Sequence, residues 1–129
     1  MIKFKMEKLV RDKIPQIIEG QGGVITRKTL GEEEFFRELK VKLAEETAEL
    51  NEVNFGEKDD LVNELADVQL ILDYLRKISG VSNEELQQAI EAKSRKVGNF
   101  EDRTHIETVE LPDNSQWVEY YRKKGFKEI

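Results

Sequence analysis

Apolar residues recur along this chain at helical spacing, in stretches separated by glycines. Leu39, Leu43, Leu50 and Val53 step by four, seven and three residues. They mark one side of a helix expected from residue 32 to about 54. Its acidic start, Glu32-Glu33-Glu34, suits the positive end of a helix dipole. Gly56 breaks the pattern. Leu61, Leu65, Val68, Ile71, Leu72, Leu75 and Ile78 then define a second long helix over roughly 58–79, stopped by Gly80. Ser82, with Glu85 completing a Ser-x-x-Glu capping box, opens a third helix that runs to about Val97 before Gly98. A short helix is expected over residues 8–20, with Pro15 in its first turn and Gly20, Gly22 and Gly23 at its end. Another is expected over 117–124. Residues 24–30 and 100–111 alternate weakly and are read as a brief strand and a strand or hairpin.

The expected architecture is all-α: a helix hairpin within a four-helix-bundle-like single domain spanning 1–129, with room for a small β-element. No internal repeat or low-complexity stretch interrupts it. The second long helix is apolar over about half its circumference, more than one hairpin partner covers. A homodimer or homotetramer is therefore expected.

Composition narrows the function classes. Of the 129 residues, 38% are hydrophobic, enough for a core, and 37% are charged, against about 25% in an ordinary soluble domain. A net charge of −6 gives no global field toward nucleic acid or anionic lipid, so neither is an expected partner. Phosphate ligands need a bound cation or a local basic patch. With no cysteine, disulfides and thiolate metal sites are excluded. The first 13 residues lack a signal peptide's apolar run and no stretch approaches a membrane span, so the cytoplasm is the expected compartment.

In a chain with 27 acidic residues, most carboxylate pairs at helical spacing belong to solvated surface. Two do not fit that description. Glu46 fills the one gap in the stripe of the first long helix, with Glu49 at the edge of the same face. Glu64 falls inside the apolar arc of the second, and Asp67 lies in line with Ile71, Tyr74 and Ile78. An antiparallel hairpin sets the two pairs opposite each other. Ionised carboxylates facing a core cost several kcal/mol unless neutralised. Neither stripe supplies an Arg or Lys, which points to a hard divalent cation with oxygen ligands. The competing reading places all four on the rim of an ordinary amphipathic helix pair.

Glu45-Glu46-Thr47-Ala48-Glu49 followed by Glu64-Leu65-Ala66-Asp67 resembles the Glu-Glu-x-x-Glu and Glu-x-x-Asp signature of MazG-like nucleotide pyrophosphohydrolases. Lys8-Leu9-Val10-Arg11-Asp12-Lys13-Ile14-Pro15 is similar to the start of a small phosphoribosyl-ATP pyrophosphohydrolase-like branch, and Lys93 through Phe100 to its Lys-x-x-x-Arg-Gly-Gly-Phe. Val97 and Asn99 depart from that last motif. The similarity covers roughly residues 8–103. It implies an all-α fold, an oligomer, and Glu46, Glu49, Glu64 and Asp67 as ligands of Mg2+, with Mn2+ as a substitute. It also implies attack of water on the α-phosphorus of a nucleoside triphosphate, releasing the monophosphate and pyrophosphate. Glu45, beside the cluster but off the apolar stripe, is the expected general base. Lys93 is the expected phosphate contact at the third helix.

Arg11 and Lys13, with Lys8, reach ligand phosphates on one reading and form a solvated helix face on the other. His105 has no second histidine for a zinc site. Trp117, Tyr120 and Tyr121 suit a docked terminal helix better than a base-stacking platform. Two alternatives stand beside a house-cleaning nucleotide hydrolase: phosphoribosyl-ATP hydrolysis in histidine synthesis, and a non-enzymatic helical module whose acidic face binds a basic partner.

Overall fold

A computed structural model describes all 129 residues and is all-helical. The elements are α1 (Ile14–Gly20), α2 (Glu32–Asn51), α3 (Lys58–Ile78), α4 (Asn83–Val97) and α5 (Trp117–Lys123). The chain divides into two compact units, residues 1–90 and 91–129, with the boundary inside α4. No helix is long and apolar enough to cross a membrane.

In the first unit, α2 and α3 pack together as a hairpin. Phe35, in the first turn of α2, meets Tyr74, near the end of α3, edge to face at 6.2 Å between ring centroids, so the helices run antiparallel. The link is a tight turn in which the Asn54 backbone N–H donates to Glu57 Oε1 at 2.8 Å. Gly56 sits in it at φ +97, a conformation that a side chain opposes. The stripe expected on α2 is the one that packs: Leu39 is 2% exposed, and Leu43, Leu50 and Val53 are half-buried. Ser82 caps α4, its Oγ accepting from the Glu85 N–H at 3.1 Å.

The second unit is held around α5, where Trp117, Tyr120, Tyr121 and Phe126 pack on one another at centroid separations of 5.4–6.4 Å. The aromatic residues of this tail are thus engaged among themselves.

Three expectations fail. No strand forms at 24–30 or at 100–111, where residues 101–110 are exposed throughout. A strand needs a partner for its backbone N–H and C=O groups, and weak alternation without one leaves them to water. The first helix starts at Ile14 rather than residue 8. Pro15 is the cause, because it lacks the N–H that a preceding helical turn requires and is tolerated only at a helix start. Residues 8–11 are consequently non-helical, which changes what their side chains reach.

Leu39 is the one fully buried hydrophobic side chain. On α3 the half-buried residues include Glu64, Asp67, Ile71, Leu75 and Ile78 on the side of the seam with α2, together with Val68, Leu70, Asp73 and Arg76. Leu61, Leu65 and Leu72, one ridge further round the helix, remain 40%, 47% and 43% exposed.

Candidate metal centre

The hairpin turns four carboxylates from two helices toward one point. Glu46 and Glu49 are one turn apart on α2, and Glu64 and Asp67 one turn apart on α3. One carboxylate oxygen from each lies within 4.8 Å of all the others. Oxygens on opposite sides of a magnesium ion are separated by about 4.2 Å, twice its usual bond length, and by somewhat more around calcium. The four oxygens already span nearly that distance.

Electrostatics at this point is unbalanced. Glu46 Oε2 and Glu64 Oε2 are shielded from solvent and have no hydrogen-bond partner. Burial raises the pKa of both carboxyls above the ordinary 4.5, the charges of Glu49 and then Asp67 raise it further, and a hydrogen bond shared with the Glu49 carboxyl does so as well. Lys42 offsets part of this at Glu46. Shielded oxygens without donors in a like-charged group fit a hard cation.

Part of the countercharge comes from a segment that helix periodicity does not connect to the hairpin. Arg11 donates from Nη2 to Asp67 Oδ1 at 2.6 Å, and Lys8 lies 3.5 Å from Glu45 Oε1. Released from helical geometry by Pro15, residues 8–11 reach α2 with Lys8 and α3 with Arg11. The absence of basic residues from the two stripes is therefore compensated in part from outside them. Arg11, expected at a ligand phosphate, is instead paired with a member of the cluster. Glu45 is half-buried beside the cluster and outside it, held by Lys8 and by Lys42, each at 3.5 Å. Lys13 is exposed and makes no ion pair. Lys93 is an exposed residue of α4 in the second unit, while the acidic cluster is complete within residues 1–90.

The apolar stripes do not show Lys8 and Lys42 as the partners of Glu45. Lys42 was legible, since an i, i+3 Lys–Glu pair on one helix is a standard neighbour relation. Lys8 was not, because its reach depends on where α1 starts.

Two hollows on the chain's surface, one beside Asn83, Leu86 and Gln87 and one along Gly56–Asp60, are open and lined by residues other than the four carboxylates.

No protein-family model matches the chain, and no solved structure does. The chain is similar to an uncharacterized protein of Mycolicibacterium smegmatis, 44% identical over 45 residues. That stretch is 35% of this chain and 46% of the relative, so the chain aligns with less than half of the relative's length.

Proposed function

We propose that the protein is a magnesium-dependent nucleoside triphosphate pyrophosphohydrolase of the MazG-like kind, acting in the cytoplasm in nucleotide house-cleaning or pool control. The observation that carries this reading is the meeting of four carboxylate oxygens within 4.8 Å, with an oxygen of Glu46 and one of Glu64 shielded and unpartnered. The resemblance of Glu45 to Glu49 and Glu64 to Asp67 to the family signature adds the reaction class.

In this reading Glu46, Glu49, Glu64 and Asp67 hold Mg2+, with Mn2+ as a substitute. The ion supplies charge neutralisation on the triphosphate and acidifies water. Glu45 accepts the proton of the attacking water, and its two lysine contacts hold the carboxylate beside the cluster. Bond cleavage between the α- and β-phosphates yields a monophosphate and pyrophosphate. Of the basic residues near the cluster, Arg11 is the candidate phosphate contact.

The functional unit is a homo-oligomer. Leu39 alone is fully buried and the rest of the seam is half-buried, so the apolar surface of the hairpin is incompletely covered, and Leu61, Leu65 and Leu72 form a half-covered ridge beside the acidic seam. A second copy on that ridge covers it and walls the carboxylates, which the open hollows of the isolated chain do not.

The test is incubation with a panel of canonical and modified nucleoside triphosphates and magnesium, with products separated by chromatography. Monophosphate and pyrophosphate are expected. Release of orthophosphate with a diphosphate as the only products refutes the reading, as does no turnover of any nucleotide.

A further inference from the structure

The contact between Arg11 and Asp67 sets two functions against each other. Asp67 belongs to the four-carboxylate set, yet its Oδ1 accepts a 2.6 Å hydrogen bond from the Arg11 guanidinium. Arg11 is 60% exposed and Asp67 29%, so solvent screens the pair and nothing buries it in place. The backbone of the arm is anchored, since the Arg11 carbonyl accepts from the Ile14 N–H at 3.1 Å, Leu9 and Val10 are half-buried and Lys8 lies 3.5 Å from Glu45, so it is the exposed guanidinium end of Arg11 that is free to change partner. A cationic side chain on a non-helical arm thus occupies one corner of an anionic site through an interaction weak enough to exchange.

We propose that Arg11 alternates between two partners: it neutralises Asp67 in the metal-free chain and passes to a substrate phosphate once a divalent cation takes up the carboxylates. The inference rests on the metal-site reading above. Its physical basis is charge. Two added positive charges among four carboxylates halve the formal field that attracts the guanidinium and place a like charge within a few ångströms of it. A triphosphate arriving at the same ion brings acceptors that match the planar guanidinium bidentately, better than one carboxylate oxygen does. Metal binding then releases the phosphate ligand that completes the site, and the order of binding is metal before nucleotide. Lys13, two residues on and unpaired, has no such alternation to make.

The experiment uses the full chain and measures binding, without turnover. Mn2+ is titrated by electron paramagnetic resonance into the wild type, Arg11→Ala and Lys13→Ala, and inorganic pyrophosphate is then titrated calorimetrically into each in saturating Mg2+. Removing the competitor should tighten Mn2+ binding at Arg11→Ala by about fivefold, the worth of one exposed ion pair. The same variant should bind pyrophosphate at least tenfold more weakly, the loss expected for a charge-assisted contact. Lys13→Ala should change Mn2+ affinity by less than about twofold, because screening leaves little to a charge outside the cluster. Unchanged or weakened Mn2+ binding at Arg11→Ala overturns the exchange and makes Arg11 a fixed support of Asp67, with the metal site intact. Unchanged pyrophosphate affinity overturns it as well. No Mn2+ binding by any of the three proteins overturns the metal-site reading and the exchange together.

Discussion

In the homo-oligomer proposed above, Leu65→Lys should separate the copies, and the size of the effect follows from how much of the leucine is left uncovered. Leu65 lies on α3 next to Glu64 in sequence, about 100° round the helix, so it leaves the seam and joins Leu61 and Leu72 on the adjoining ridge. Burying a leucine fully contributes about 1.5–3 kcal/mol. With 47% of Leu65 exposed, a partner can still gain about half of that, roughly 0.7–1.4 kcal/mol per copy. A twofold interface uses the residue twice, so its loss weakens dimerisation by about ten- to a hundredfold. An ammonium forced into the same apolar contact adds a desolvation cost to that. Sedimentation velocity over a concentration series reads the effect directly, with Val41→Lys as the control. Val41 is 51% exposed and lies on the side of α2 away from Leu39, Leu43 and Leu50. Wild type and Val41→Lys should sediment as the same oligomer at micromolar concentration, and Leu65→Lys as a smaller species of unchanged helicity. A wild type that is monomeric and fully helical at that concentration refutes the reasoning. So does a Leu65→Lys protein that assembles like the parent.

Four other substitutions test the site and its frame. Glu64→Gln should remove most pyrophosphohydrolase activity while leaving the metal-free protein equally or more stable. Because folding raises the pKa of Glu46 and Glu64 above 4.5, the folded chain binds their protons more tightly than the unfolded chain does. The stabilisation from protonation is full below about pH 4.5 and disappears as pH rises through the folded values. In chelator these two groups therefore favour the fold increasingly from neutral pH down toward 4.5, and the melting-temperature advantage of Glu64→Gln should shrink over that interval. A constant advantage contradicts the assignment. Magnesium at a hundred times its Kd should stabilise the wild type by about 2.7 kcal/mol in the same melting assay. Glu45→Gln should lower turnover by roughly a hundredfold or more with little change in magnesium affinity, whereas Glu49→Gln should lower both; single-turnover rates beside calorimetric titration separate the two. Gly56→Ala should cost about 1 kcal/mol or more, because alanine resists φ +97, and thermal melting should register a drop of roughly 3–5 °C.

Much of the hairpin was determined by local pattern. The four-three spacing of Leu39, Leu43 and Leu50, with Glu46 in its one gap, defines a single face of a single helix, and α2 buries that face. Gly56, Gly80 and the Ser82 cap act within a few residues of themselves, so the ends of α2, α3 and α4 fall within about three residues of where the pattern puts them. The approach of Glu46 and Glu49 to Glu64 and Asp67 follows from two such faces joined by a short turn. The stretches at 24–30 and 100–111 alternate without forming strands, because alternation is local while strand formation depends on a partner elsewhere in the chain.

What the tertiary structure alone decided is the electrostatics of the cluster. The pairing of Arg11 with Asp67 spans 56 positions in sequence, and that of Lys8 with Glu45 links a non-helical arm to α2. No periodicity encodes either contact. Both depend on Pro15 forbidding a helical turn before it, and on the hairpin bringing α2 and α3 within reach of one arm. A helix face is a property of consecutive residues, and the sequence determines it. The charge at a point in space sums over every segment that passes near it, and only the folded chain brings those segments together.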